Sequence, residues 1–393
     1  MIGYNKGWLA NSRVQGAAKK DLREGNITPS EFAAIVQKYP VGFYSPALLV
    51  QVGLFILTFI IVVFAVAMFM LMTAGSKIME GFGFFLFLGG LSYFSLEAIV
   101  QTKFHLRSGV DDALTIISGC LLVVALYMLF LKNGTGSDSL GIATIVFTVS
   151  LGLSIRFADI LATATCVVSF FAIILYAWIR TGTFGLTTAP FVIMAVAGFI
   201  YWLALNNQNK KAFINYQNSL IIVELVSLVT LYAAGNYYVV QTLGSELKGA
   251  ADAGTLAIPF GAFFWIWTIA MPFVYVGFGI KRKDSLLLRL GLLLIIAAVA
   301  TFRNYYHLLP ADVMLTIAGA VLLGLVYGIM KYLKTPKHGF TYAEPDEAET
   351  MDKINVESLI VAESFSHTPS APANNGVKFG GGDFGGGGSS GKF

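Results

Sequence analysis

The sequence predicts an all-α, polytopic membrane protein: about ten transmembrane helices behind a helical leader, followed by a disordered tail. Three observations predict it. The chain is 56% hydrophobic and only 12% charged, with a mean hydropathy of +0.73, about half the charged share of a soluble domain. Its apolar residues are gathered into ten stretches, most of them near the ~20 residues that cross a ~30 Å hydrocarbon core. Lysine and arginine are sorted between alternate connecting segments, 17 on one side against 5 on the other. The crowded segments hold Lys6, Arg13, Lys19, Lys20, Arg23 and Lys38, then Lys103 and Arg107, Arg156, Lys210 and Lys211, Lys281 to Lys283, and Lys331, Lys334 and Lys337. The sparse ones hold Lys77, Lys132, Arg180, Lys248 and Arg303. By the positive-inside rule both termini are expected in the cytoplasm, in a cell inner (plasma) membrane.

Residues 1–45 form a predicted cytoplasmic leader of two short helices. Thr28-Pro29-Ser30-Glu31 is a capping box with proline at the first helical position. Phe32, Ile35, Val36 and Tyr39 follow at helical spacing, Pro40 closes the segment and Gly25 ends the helix before it. Such faces are too small for a core of their own, so they are expected to rest on the membrane, the bundle or another copy. The first 46 residues are polar and mixed in charge and do not read as a cleavable signal peptide.

The transmembrane region, 46–333, contains stretches at 46–73, 82–101, 112–131, 140–155, 160–179, 186–205, 213–234, 257–280, 286–301 and 312–333. Those at 140–155 and 286–301 are short, about 16 residues: either they borrow flanking residues such as Arg156 and Arg303, or they tilt or re-enter. The segment Gly235–Gly254 reads as the longest external loop, and Pro259 and Pro272 are the sequence's only suggestion of a broken helix. Residues 334–393 are acidic around Ala343–Asp352, allow a short helix at Asn355–Phe365, and end in glycine-rich repeats around Phe379, Phe384 and Phe393. Such a segment buries too little apolar area to offset its ordering entropy and is expected to be disordered.

The leader pattern Trp8…Leu22-Arg-Glu-Gly25-Asn-Ile27-Thr-Pro-Ser-Glu-Phe32, with Tyr39 just before the first span, resembles that of uncharacterised multi-pass bacterial membrane proteins. Its Gly-x-Ile-Thr-x-x-Glu-Phe core is similar to SHOCT-type helical hairpins, which are suspected oligomerisation or membrane-adjacent modules. Phe302-Arg-Asn-Tyr-Tyr-His307-Leu-Leu-Pro310 through Gly339-Phe340 resembles the same class of proteins. The Gly/Phe tail resembles, in composition, the ends of some membrane-anchored TPM-domain proteins, although no such domain is present. The resemblance covers class and architecture and implies no activity.

Glu224, in Ile221-Ile-Val-Glu-Leu-Val-Ser near the middle of the seventh stretch, is the sharpest candidate. A carboxylate at the bilayer centre costs roughly 2.5–3.5 kcal/mol on insertion scales, so it should face the bundle interior or be protonated. It reads either as a proton or cation site or as a neutral hydrogen-bonding partner of a neighbouring helix. Arg289 is the nearest obvious cation in the sequence, and too shallow to reach it. Glu97 lies four residues before the end of the second stretch. It reads as an interfacial carboxylate reaching water or a lysine, or as an inner-vestibule site with His105; no second ligand at metal spacing accompanies that histidine. Asp-x-x-x-Thr occurs at Asp111/Thr115, Asp159/Thr163 and Asp312/Thr316. Because the third begins a span on the opposite side, these read as helix caps, joined by Asp112, with Arg107 and Arg156 snorkelling nearby. Thr316, Ala320, Gly324 and Gly328 form a ridge of small residues that suits close packing within the bundle or a homo-oligomer seam.

Cys120 and Cys166 lie inside predicted spans and read neither as a disulfide framework nor as a metal site. No phosphate-binding loop, nucleophile elbow, metalloprotease motif or paired carboxylates appear, so no catalytic residue, cofactor or metal is assigned and nothing argues for an enzyme. The basic balance faces anionic lipid and needs no nucleic acid. Two functions remain: a scaffold or sensor recruiting partners through its cytoplasmic ends, the tail phenylalanines among them, or a proton- or ion-coupled transporter or channel using Glu224.

Overall fold

The computed structural model describes residues 2–23, 25–73, 81–131, 139–208, 210–248, 259–282 and 284–305, with isolated positions between 316 and 331. All of these belong to the first of the two units into which the chain divides, Met1–Pro345. Among the described residues the structure is helical and contains no strand; one isolated bridge pairs Tyr44 with His105.

The leader folds as its sequence dictates. Helix α1 spans Lys6–Arg23 and α2 spans Pro29–Lys38. Thr28 caps α2 through its side chain while Glu31 returns to the cap backbone, closing the capping box, and Gly25 takes a left-handed conformation, φ +75°, between the helices.

Nine segments among the described residues are long and apolar enough to cross a membrane. They are α3 (Leu48–Met72), α4 (Phe82–Thr102), α5 (Val110–Phe130), α6 (Ser139–Phe157), α7 (Ile160–Ile179) and α8 (Thr183–Gln208). A 3-10 turn at Lys211–Tyr216 then leads into α9 (Gln217–Gly235), followed by α11 (Gly261–Arg282) and α12 (Ser285–Tyr305). The two short stretches are therefore full-length: α6 has 19 residues and takes in Arg156, and α12 has 21 and takes in Arg303. A hydropathy window stops at a charge; backbone hydrogen bonding does not. Pro259 lies before α11, and that helix runs unbroken through Pro272, as α8 does through Pro190, so the suggested break is absent. The segment read as an external loop contains a twelve-residue helix, α10 (Tyr237–Lys248), whose Gln241 and Ser245 are buried. Most of the tenth stretch, 312–333, lies outside the described residues, as do Asp312, Asn355–Phe365 and the tail with Phe379, Phe384 and Phe393. The described ridge positions Thr316, Ala320, Gly324 and Gly328 are helical and exposed.

Helices adjacent in sequence pack as antiparallel hairpins: α4 with α5, α6 with α7, α8 with α9, and α11 with α12. Lipid is as apolar as leucine, so association relies on close contact and on satisfied polar groups rather than on the hydrophobic effect. Gly89 sits against Leu122, Gly279 against Leu288 and Gly291 against Val276, each approach closer than an added Cβ would comfortably tolerate. Serine and threonine hydroxyls return to carbonyls one turn back, as Ser150 does to Val146 at 2.7 Å and Ser227 to Val223 at 2.6 Å. Three apolar clusters result. One joins Ile2 and Tyr4 of the leader to Leu96, Val100, Leu114, Leu153 and Phe157; the others lie among α7, α8 and α9 and among α9, α11 and α12. Helix α3 differs, because none of its residues is buried. Its close approach to the bundle is at Gly109, where φ is +89° and an added Cβ would stand 2.0 Å from the carbonyl oxygen of Gln51.

Candidate functional site

The leader is fastened to one end of the bundle. Gly3 N–H donates to the Arg156 carbonyl at 2.7 Å, and the guanidinium of Arg13 donates to Asn215 Oδ1 at 2.6 Å. Trp8 meets the rings of Phe43 and Phe104 edge-on at 5.5 and 4.7 Å. Tyr44 exchanges backbone bonds with the loop after α4, donating to Phe104 and accepting from Leu106. Of the three supports expected for the leader faces, these contacts are with the bundle.

Beneath this roof lies a cavity of about 720 Å³. The leader contributes Ile2, Tyr4, Leu9 and Arg13, and α3 contributes Leu48, Gln51, Val52 and Phe55. The remaining wall comes from Arg107, Asp111, Asp112 and Thr115, from Phe157–Leu161, and from Ile214 to Asn218. Asp111 and Thr115 of one Asp-x-x-x-Thr pair and Asp159 of another therefore line one space. In both, the threonine hydroxyl donates to the aspartate's own carbonyl, at 2.8 Å for Thr115 and 2.6 Å for Thr163.

The three carboxylates differ in how local structure employs them. Asp159 is a true cap of α7, its Oδ1 accepting from Ala162 N–H at 2.7 Å. Burial pushes its carboxyl above the ordinary carboxylate range, the Ala162 N–H pulling the other way. Asp111, read as a cap, is not one: Gly109 occupies the cap position without a side-chain bond. Asp111 turns back instead and accepts from the Arg107 and Ser108 N–H groups, each at 2.8 Å, and from Ser108 Oγ at 2.9 Å. It is buried at 3% exposure because it organises the preceding turn, where Arg107 holds a left-handed φ of 51°. Asp112 reaches back to the backbone N–H of the cap residue Gly109, and Gln51 of α3 reaches it from across the cavity at 3.3 Å.

Glu97 lies nearby on α4 and is held by Arg156 through both oxygens, with Nε at 3.1 Å from Oε2, while Gln101 also donates to it. Its partner is therefore neither lysine nor His105, which faces Ser108 Oγ at 2.7 Å. Because α6 continues to Phe157, the Arg156 guanidinium meets Glu97 of α4.

Glu224 sits apart from this cavity. It is buried at 3% exposure; Gln208, the last residue of α8, donates to Oε2 at 2.6 Å, and Oε1 has no partner among the described residues. The charges that act on it are Asp284 and Arg282, at the α11–α12 turn, rather than Arg289. Gln208 reaches the carboxylate because α8 runs three residues further than its apolar stretch.

At the opposite end a second polar cluster was not foreseen. Asn236 Nδ2 donates to Tyr232 Oη at 3.2 Å and Thr301 Oγ1 at 3.1 Å, and its Oδ1 accepts from Tyr238 and Val239 at the start of α10. Asparagine after glycine reads as a turn; only the packing of α9 against α12 shows it to be a clamp.

Among the described residues no group of three or more histidine, cysteine, aspartate or glutamate side chains is placed to hold a metal ion. The leader-end cavity is lined by charged and apolar side chains together. Comparison with protein-family models, with curated proteins and with solved structures finds no match to this chain.

Proposed function

We propose that this protein is a membrane sensor or scaffold whose leader, lying over a charged cavity, links the state of that cavity to partner recruitment through the chain's two cytoplasmic ends. The observation that carries the reading is the shared wall: Tyr4 and Arg13 of the leader line the same space as Asp112 and Gln51 of the membrane helices. A guest in that space touches both, so its binding free energy can bias the leader's position. The test starts from a Cys120→Ser/Cys166→Ser background, in which Arg13→Cys and Asn215→Cys are introduced and joined by a bis-maleimide cross-linker to lock the leader, since the arginine-length gap between these positions is too wide for a disulfide. A second arm truncates the chain after Lys337. Co-purifying proteins should be lost on truncation and altered in amount by the lock. If neither changes them, or if reporter fusions put Lys38 and Lys337 on opposite sides, the reading fails.

A second reading keeps one specific support. A carboxylate as buried as Glu224, with one oxygen lacking a partner among the described residues, suits a proton- or cation-linked transporter. Under it, Glu224→Gln abolishes an ion-linked phenotype that truncation after Lys337 leaves intact.

A further inference from the structure

Tyr4 is the residue at the leader end that local structure leaves unexplained. Its ring packs edge-on against Phe43 at 6.3 Å, and the residue is only 8% exposed. A buried tyrosine hydroxyl ordinarily finds a partner, yet this one has none among the described residues: what acts on it is burial and the fields of Asp111, Asp112, Asp159 and Arg107. All four of those groups line the same cavity as Tyr4, so the hydroxyl faces into it. Burial first, and then the three carboxylates, hold the phenol well above its ordinary range, so it stays protonated.

We propose that the leader-end cavity binds an organic monocation, a primary ammonium group on an apolar body, with Tyr4 and Asp112 as contact residues. Charge supports this: three carboxylates against the guanidiniums of Arg13 and Arg107 leave one negative charge around the space. Donor chemistry supports it too. Asp111 is committed to its own turn; Asp159 accepts from N–H groups at the start of α7, and Asp112 from Gln51 and the Gly109 N–H, which leaves lone pairs on both carboxylates. An ammonium has three protons to give, matching those two carboxylates and the Tyr4 oxygen. A metal ion is the poorer guest, because the carboxylates are not grouped to hold one among the described residues. The apolar body follows from the opposite wall, Leu48, Val52 and Phe55 of α3. That helix buries no residue of its own and so is the readiest to yield to an entering amphiphile. The ammonium can belong to a free amine or to an aminoethyl lipid headgroup.

This inference rests on the cavity being the sensing site proposed above. Full-length protein in delipidated detergent micelles is titrated with phenethylamine, 2-phenylethanol, 3-phenylpropionate and glycerophosphoethanolamine, with binding read by calorimetry. Phenethylamine is expected to bind saturably, about tenfold more weakly in Tyr4→Phe, the scale of one hydrogen bond to a charged group. Asp112→Asn should lose at least as much, and gel filtration establishes that each variant is folded. Tighter binding of glycerophosphoethanolamine than of phenethylamine also supports the ammonium site and assigns its source to lipid. Equal binding of phenylethanol, an unchanged affinity in Tyr4→Phe, or no saturable binding of either ammonium compound overturns the proposal. Spin labels on α2 and on the turn before α9 separate the two readings. Ammonium binding without a change in their distance sinks the sensor and leaves the ligand class standing; a change produced by phenylpropionate alone does the reverse.

Discussion

Removing either member of the Glu97–Arg156 pair should destabilise the bundle by about 2–3 kcal/mol, and removing both should cost less than the sum. The pair is two-pronged, and its side chains are 18% and 30% exposed, so it lies between the buried and surface limits. Unit charges ~4 Å apart interact by roughly 4 kcal/mol at an effective dielectric near 20. Partial desolvation and the ordering of two long side chains take back about half, whereas a fully exposed pair would retain only about 0–1 kcal/mol. Arg156→Met keeps the stem that packs along α6 but strands the Glu97 carboxylate with Gln101. Glu97→Gln keeps shape and removes charge. The double-mutant cycle should therefore return a coupling near ~2 kcal/mol. The assay is reversible unfolding in mixed detergent–SDS micelles followed by helical circular dichroism, repeated at low and at ~0.5 M salt. A coupling below about 0.5 kcal/mol, or one abolished by salt, would refute the argument, because it would mean the pair behaves as a solvated surface contact.

Four further outcomes follow from the geometry. Gly109→Ala places a Cβ against the Gln51 carbonyl in a left-handed conformation and should cost about 3 kcal/mol, detaching α3. Gly182→Ala, equally left-handed at φ +82° but with open space around it, should cost only about 1 kcal/mol in the same unfolding assay. Asn236→Ala strips the cap of α10 and two buried side-chain bonds, for roughly 2–3 kcal/mol, seen as faster amide exchange across residues 237–248. Asp159 gives a pH test. Its carboxyl is raised in the folded protein, so the folded state takes up a proton before the unfolded chain does, and stability rises as pH falls through the folded value. Tyr4, Asp111, Asp112, Arg13 and Arg107 share its surroundings, so Asp159→Asn, which keeps a capping side chain, isolates its part. The melting midpoint of the variant should gain less than that of the native protein between pH 7 and 5; an identical gain refutes the assignment.

The amino-acid sequence by itself determined the class, the helices and most of their limits. Apolar runs of about 20 residues can be satisfied in lipid only as helices, and the Thr28 box and Gly25 fix the leader through interactions that span a few residues. Such features are local, and local physics is written in order along the chain. Partners are not. That Arg156 meets Glu97 across two helices, that Gln208 reaches Glu224, and that Tyr4 faces Asp112 depend on how far each helix runs past its apolar stretch and on the rotation at which it packs. Hydropathy, which averages over a window, is blind to both. The same blindness hid α10, whose buried residues, Gln241 and Ser245, are polar and do not register in a hydropathy window. The leader-end cavity arises only when five separated segments close over one space, so its chemistry, carried by side chains each unremarkable in its own segment, was decided by the tertiary structure.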